Sequence, residues 1–148
     1  MSESATSLQQ LALNPEDALF TNQIQGLAVV LHRNERPLHG LAGLLDWRFH
    51  GAVSAFMRAG AISGDPGQCA YVPITRNGTV YHLLFLGAGD CTAPGKRAAA
   101  TAETFAVIRK NLGSLGLQRI AISRADFGGM DDDHLRNNLK GLPLWIVH

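Results

Sequence analysis

Residues 41–87 read LAGLLDWRFHGAVSAFMRAGAISGDPGQCAYVPITRNGTVYHLLFLG. Leu41, Leu45, Phe49, Ala52, Val53 and Phe56 recur at three- and four-residue spacing, which predicts one helix over 39–59 with Gly51 inside it. Arg48, Ser54 and Arg58 fall largely off that stripe. Gly60 is placed to stop the helix, because glycine adopts the left-handed conformation of a C-terminal cap. Gly64, Pro66 and Gly67 make the next turn. Two apolar runs follow. The run at 69–75, CAYVPIT, is strand-like, and Pro73 cannot donate to a ladder, which assigns it to a sheet edge or a bulge. Asn77-Gly78 between apolar runs is a hairpin signal. The run at 79–86, TVYHLLFL, is apolar on both faces and fits a central strand covered by helices on two sides. A helix, a hairpin and a doubly covered strand decide the class: α/β.

The flanks extend the same pattern. LAVVLH at 27–32 is a compact apolar run, consistent with a buried strand. The polar turn RNERP follows, and Pro37 marks a break before the helix. GAGDCTAPG at 87–95 is a glycine-rich loop. A second long helix is predicted over 96–112, with Ala99, Ala102, Phe105, Ala106, Ile108 and Leu112 as its apolar positions, ended by Gly113 and Gly116. QRIAIS at 118–123 is a strand. GGMDDDHLRNNLK contains a short helix with Asp131 or Asp132 as its cap, and LWIVH closes the chain as a strand. The order predicts a three-layer α/β/α domain with a mixed, mostly parallel sheet and right-handed crossovers. Residues 1–24 are expected to form a partly flexible N-terminal extension, and residues 25–148 the domain.

Composition excludes several classes. The 148 residues suit one domain with a substantial core. Hydrophobic residues make up 46% and charged residues 17%, which is globular rather than disordered. A net charge of +1 leaves no electrostatic footprint for nucleic acid or an anionic membrane, so neither is an expected partner. No apolar run approaches the roughly 20 residues of a membrane span, and MSESATSLQQ is not a secretory signal. Cys69 and Cys91 lack metal-type spacing, which suits a reducing, cytoplasmic compartment.

Several segments, in order, resemble the N-terminal domain of the leucyl aminopeptidase family. They are Leu45-Asp46 with Gly51 in the first helix, the turn Gly64-Asp65-Pro66-Gly67 and the strand end Phe85-Leu86-Gly87. The alanine-rich helix from Lys96 and the strand Arg119-Ile120-Ala121-Ile122 continue the match, which spans roughly 25–125. The resemblance implies a macro-domain-like fold. It also implies that peptidase chemistry belongs to a separate C-terminal domain, where a lysine and several acids, including an NTDAEGR-type segment, hold two metal ions. No such segment occurs before His148. The expectation is therefore a stand-alone, non-catalytic domain in assembly or regulation, with a protein partner or self-association. The alternative is a macro-like module for a nucleotide or ADP-ribose-type ligand. A small hydrolase is a third class, for which no constellation assembles. No catalytic residue, cofactor or metal is expected.

The best ligand position is the loop Gly87, Ala88, Gly89 and Asp90, with Lys96 beyond it. It follows a strand and precedes a helix, where backbone amides can cradle an anion, and ligands of open α/β sheets bind beyond strand carboxyl ends. Lys96 and Arg97 would offset the charge of Asp90. Asp131, Asp132 and Asp133 with His134 read better as a helix cap than as a metal site. The six histidines are scattered, and His82 reads as a hydrogen-bonded core or face residue. Cys91 has no neighbouring base to make it a nucleophile, and Ser54 and Ser123 lack a nucleophile elbow. Asp46 reads as a buried ion-pair partner of Arg119 or Arg124. Trp145 reads as core. Trp47 is either core or, if exposed, a contact surface.

Overall fold

Strand runs that are apolar at every position need cover on both faces, and the chain supplies it. The computed structural model describes residues 9–10, 14–35, 38–91, 102–116, 119–127, 132–139 and 144–147. They form β1 (Gln9–Gln10), α1 (Pro15–Phe20), β2 (Gly26–Leu31), α2 (Gly40–Arg48), α3 (Ala52–Arg58), β3 (Cys69–Arg76), β4 (Thr79–Gly87), α4 (Ala102–Leu115), β5 (Ile120–Ser123), α5 (Asp132–Asn138) and β6 (Leu144–Val147). A 3-10 turn at Arg124–Phe127 joins β5 to α5. The strands make one sheet in the order β1-β6-β5-β2-β4-β3. Only the β3–β4 pair is antiparallel.

Strand alternation divides the core into two halves. Leu27, Val29 and Leu31 of β2 and Leu83 and Phe85 of β4 face α1, α2 and α3 through Leu19, Leu41, Leu45 and Val53. Ala28, Val30, Leu84, Leu86, Ile120 and Ile122 face α4 and α5 through Phe105, Ile108, Leu135 and Leu139. Each fully buried Leu, Ile or Phe contributes about 1.5–3 kcal/mol relative to exposure. This is the expected three-layer α/β/α arrangement with a mixed, mostly parallel sheet. Among the described residues no helix is long and apolar enough to cross a membrane.

The hairpin forms at Asn77-Gly78, with φ of 52° and 80°, the left-handed pair of a type I′ turn. β3 lies at the sheet edge, as Pro73 requires. β4 is interior but not central, and the middle of the sheet goes to β2 and β5. β2 begins at Gly26 opposite His82, so Thr79–Tyr81 lack it as a neighbour. Only Leu83–Leu86 are fully covered.

The single helix expected over 39–59 is two. His50 and Gly51 both take left-handed backbone, with φ of 56° and 84°. Gly51 caps α3 and does not lie inside a helix. As a glycine it offers no capping side chain, and Asp46 supplies one from α2. Its Oδ1 accepts from the Ser54 amide at 2.8 Å and its Oδ2 from the Ser54 hydroxyl at 2.6 Å. Asp46 is thus a helix cap across a tight corner; of its two expected partners, Arg119 is exposed and forms no ion pair with it among the described residues, and the side chain of Arg124 lies outside them.

Two further differences are local. α4 passes through Gly113 and ends at Leu115, before left-handed Gly116. Ala106 faces solvent while Phe105 and Ile108 are buried. Within the segment read as an extension, α1 is capped by Asn14, whose Oδ1 accepts from the Asp17 amide at 2.7 Å. α1 places Ala18 and Leu19 in the core, and β1 pairs in parallel with β6. Ala99, Asp131 and the side chains of Ala102, Leu112, Arg124, His134 and Trp145 lie outside the described residues.

Candidate functional site

β2 and β4 are adjacent and parallel, and the helices that follow them pack on opposite faces of the sheet. That divergence is the topological position where α/β sheets bind ligands. The loops Leu31–Glu35, Gly64–Gln68 and Gly87–Cys91 meet there. Gly87, Ala88, Gly89 and Asp90 lie in the third of these loops. Lys96 and Arg97 lie outside the described residues.

Hydrogen bonds bind these loops to one another. The amides of Gly87, Ala88 and Gly89 donate to the carbonyls of Gln68, Leu31 and Gly64 at 2.8, 2.9 and 2.8 Å. The Gly89 carbonyl accepts from the Arg33 amide at 3.1 Å and from His32 Nδ1 at 3.2 Å. Asn34 closes a two-bond ring with Cys91, its Oδ1 accepting from the Cys91 amide at 2.7 Å and its Nδ2 donating to the Cys91 carbonyl at 3.0 Å. Gln68 Oε1 holds the neighbouring turn by accepting from the Ser63 amide, the Ser63 hydroxyl and the Gly64 amide. The backbones come close enough that a Cβ at 87 would stand 1.9 Å from the Asp65 carbonyl oxygen. Gly87 is there because chain meets chain.

The charges of this junction are also paired. Arg33 Nε donates to Asp90 at 2.8 Å and Nη1 to Asp65 at 3.3 Å. Arg33 holds the Asp90 carboxyl below its usual range, and the two carboxylates, Asp90 first, raise the Arg33 guanidinium above its own. Both partners are substantially exposed, so the pair adds little stability. Below the surface, His32, Glu35 and Asp126 are buried, and Asp126 Oδ2 accepts from the Val30 amide at 3.0 Å. Arg33 and Asn34 were read only as a polar turn. Their partners lie 32 and 57 residues away, and no local pattern marks such pairs.

The other end of the sheet is arranged differently. Phe20, Phe49 and Tyr81 form an aromatic cluster with ring centroids 5.2–5.8 Å apart. Arg48 lies over the Phe20 ring at 4.6 Å and forms an ion pair with Glu16. Outside this layer Trp47 is 72% exposed on α2, which settles it as surface. It stands between a depression of about 540 Å3 lined with Leu38, Gly43, Asp46 and Ser54 and one of about 270 Å3 lined with Arg48 and Arg76; His50 lines both. Arg76 Nη1 donates to the Arg48 carbonyl, and Nη2 donates to His50 Nε2 at 3.3 Å. The sequence reading missed Arg76, and its place just before the hairpin turn is the only signal it carries. On β4, His82 Nδ1 bonds the Tyr71 hydroxyl and the two rings stack.

Thiols and acids add no cluster. Cys69 and Cys91 are free, and burial pushes the Cys69 thiol up to about 11. Among the described residues no three His, Cys, Asp or Glu side chains converge as a metal set.

No protein-family model matches the chain, and no curated protein sequence matches it. Among the solved structures similar to it in fold are two of different kinds. One is tomato leucine aminopeptidase, as a point mutant, with a TM-score of 0.56 and 16% identity, covering 99% of this chain and 33% of that one. The other is the macrodomain of Mycobacterium tuberculosis DarG, with a TM-score of 0.63 and 12% identity, covering 93% of this chain and 97% of that one. The chain thus spans about a third of the length of the aminopeptidase. The likeness is one of fold: a macro-like α/β/α domain, as the resemblance to the aminopeptidase N-terminal domain implied.

Proposed function

We propose that these 148 residues work as a non-catalytic, macro-like module in assembly or regulation, acting through contact with another protein chain. The observation that carries the reading is Trp47. A tryptophan 72% exposed beside two surface depressions is a large apolar group left in water, and such groups anchor protein contacts. The non-catalytic part is supported by the absence from the sequence of an NTDAEGR-type segment, part of the lysine-and-acid site that holds two metal ions in the family it resembles. Free thiols at Cys69 and Cys91 suit a cytoplasmic setting. The purified chain is expected to leave leucyl amides intact, with or without manganese or zinc. Metal-dependent turnover that follows the chain through purification, and is lost on mutating its own residues, overturns the reading.

A second reading, a nucleotide or ADP-ribose-type ligand at Gly87–Asp90, is favoured by the divergence of the chain beyond β2 and β4. The anion would take Arg33 from Asp90 and Asp65, and Lys96 would add a second cation. Titration with ADP-ribose is then expected to move the amide resonances of Gly87, Ala88 and Gly89. Perturbations elsewhere, or none at millimolar ligand (about −4 kcal/mol of binding free energy), remove it.

A further inference from the structure

We infer that the recess walled by Trp47, Arg48, His50 and Arg76 docks an acidic peptide segment of a protein partner, one carboxylate on Arg76 and a flanking apolar side chain on Trp47. The inference rests on the module reading above and names the place and chemistry of the contact.

The first support is charge. Arg48 is neutralised by Glu16 and covered on one side by Phe20. Arg76 is held by the Arg48 carbonyl and by His50, and among the described residues no carboxylate forms an ion pair with it. Among the described residues the recess of about 270 Å3 therefore presents a guanidinium without an anion, beside an imidazole and an indole, with no acid in its lining. A planar guanidinium fork matches a carboxylate bidentately.

The second support is conformation. His50 is a non-glycine residue at φ 56°, which costs about 1 kcal/mol or more against right-handed backbone. The fold holds it there by the Gly51 amide, which donates to the Asp46 carbonyl at 2.7 Å, and by the Asp46–Ser54 cap. The bend sets the imidazole against Arg76 and leaves Trp47 outermost. Strained residues concentrate at binding sites.

The third support decides between anions. A phosphate is best met by several converging donors, such as unpaired helix amides. The Ser54 amide is already capped by Asp46. One guanidinium beside an exposed indole fits a carboxylate with an apolar neighbour better.

The test is calorimetric titration of the full chain with a short acetylated and amidated peptide of alternating glutamate and leucine. The same length of glutamine and leucine serves as the control. Expected is saturable binding by the glutamate peptide, weakened by added salt and at least tenfold tighter than the control, the ratio of one lost charged hydrogen-bonded contact. Trp47→Ala should weaken it about tenfold or more, as truncation of a central aromatic anchor does. Arg76→Gln should weaken it about as much, with partial recovery in Arg76→Lys, which restores charge without the fork. Arg33→Gln, at the opposite end of the sheet, should change nothing. Unchanged circular dichroism and Tm in each variant separate lost contact from lost folding. No binding of the glutamate peptide, equal binding of the glutamine peptide, or a loss with Arg33→Gln instead of Arg76→Gln overturns the inference. The module reading fails by a different result, metal-dependent turnover of leucyl amides.

Discussion

The two ends of β4 lie about 26 Å apart, at 3.3 Å per residue over Thr79–Gly87, and they use the same residue types in opposite ways. At the carboxyl end the glycines, the arginine and the acids are all engaged with one another. Gly87, Ala88 and Gly89 donate to backbone carbonyls, and Arg33 sits between Asp90 and Asp65. At the hairpin end, by contrast, Trp47 stands in water and Arg76 has no carboxylate partner among the described residues. Topology nominates the first end for ligand binding. Chemistry nominates the second, because a binding surface offers apolar area left in water and charge left without a counter-ion. A glycine-rich strand end can serve chain-to-chain approach as readily as ligand approach.

The sharpest break of this contrast is one substitution made at both ends. Gly87→Ala puts a Cβ 1.9 Å from the Asp65 carbonyl oxygen, and such overpacking should cost about 2–3 kcal/mol in denaturant unfolding. Gly51→Ala meets nothing within 4 Å and should cost only about 1 kcal/mol, the penalty of left-handed backbone for a side chain. Equal losses at the two sites would deny that one end is packed and the other open.

Asp46→Ala removes the cap that α2 lends to α3 and should cost about 1 kcal/mol in the same measurement. A loss below about 0.3 kcal/mol would mean that the corner at His50-Gly51 holds without it. Trp47→Ala should change stability by no more than about 0.5 kcal/mol, because the side chain is exposed. A larger loss would return Trp47 to the core.

The smallest effect is a pH dependence at the carboxyl end. Arg33 lowers the Asp90 carboxyl in the folded chain, so the pair contributes stability above the ordinary carboxylate range and loses it as pH falls through the lowered value. Thermal melts between about pH 5 and pH 2 should therefore fall slightly less steeply for Asp90→Asn than for the native chain. Parallel curves would show that solvent screens the pair completely.

Sheet and layers were legible because burial on both faces leaves continuous apolar runs, seen in Leu27–Leu31 and Leu83–Leu86. The hairpin and the edge strand were legible because Asn77-Gly78 and Pro73 restrict the backbone themselves. The break between α2 and α3 was not. Phe49 and Val53 still reach the same core across it, so the apolar spacing runs on as though the helix were continuous. What breaks the helix is the left-handed backbone at His50 and Gly51, after which Asp46 caps α3 through Ser54. The loop at Gly87–Asp90 was legible as a position, but its partners were not, since Arg33 and Asn34 come from another strand end. The exposure of Trp47 and the pairing of Arg76 with His50 follow from that unread corner.

The most direct measurement is an amide chemical-shift map of one labelled sample, titrated separately with the glutamate–leucine peptide and with ADP-ribose. The account predicts that the peptide moves the resonances of Trp47, His50, Gly51 and Arg76 and leaves Gly87, Ala88 and Gly89 in place. Shifts confined to Gly87–Cys91 with ADP-ribose, and none at Trp47 or Arg76 with the peptide, would contradict it.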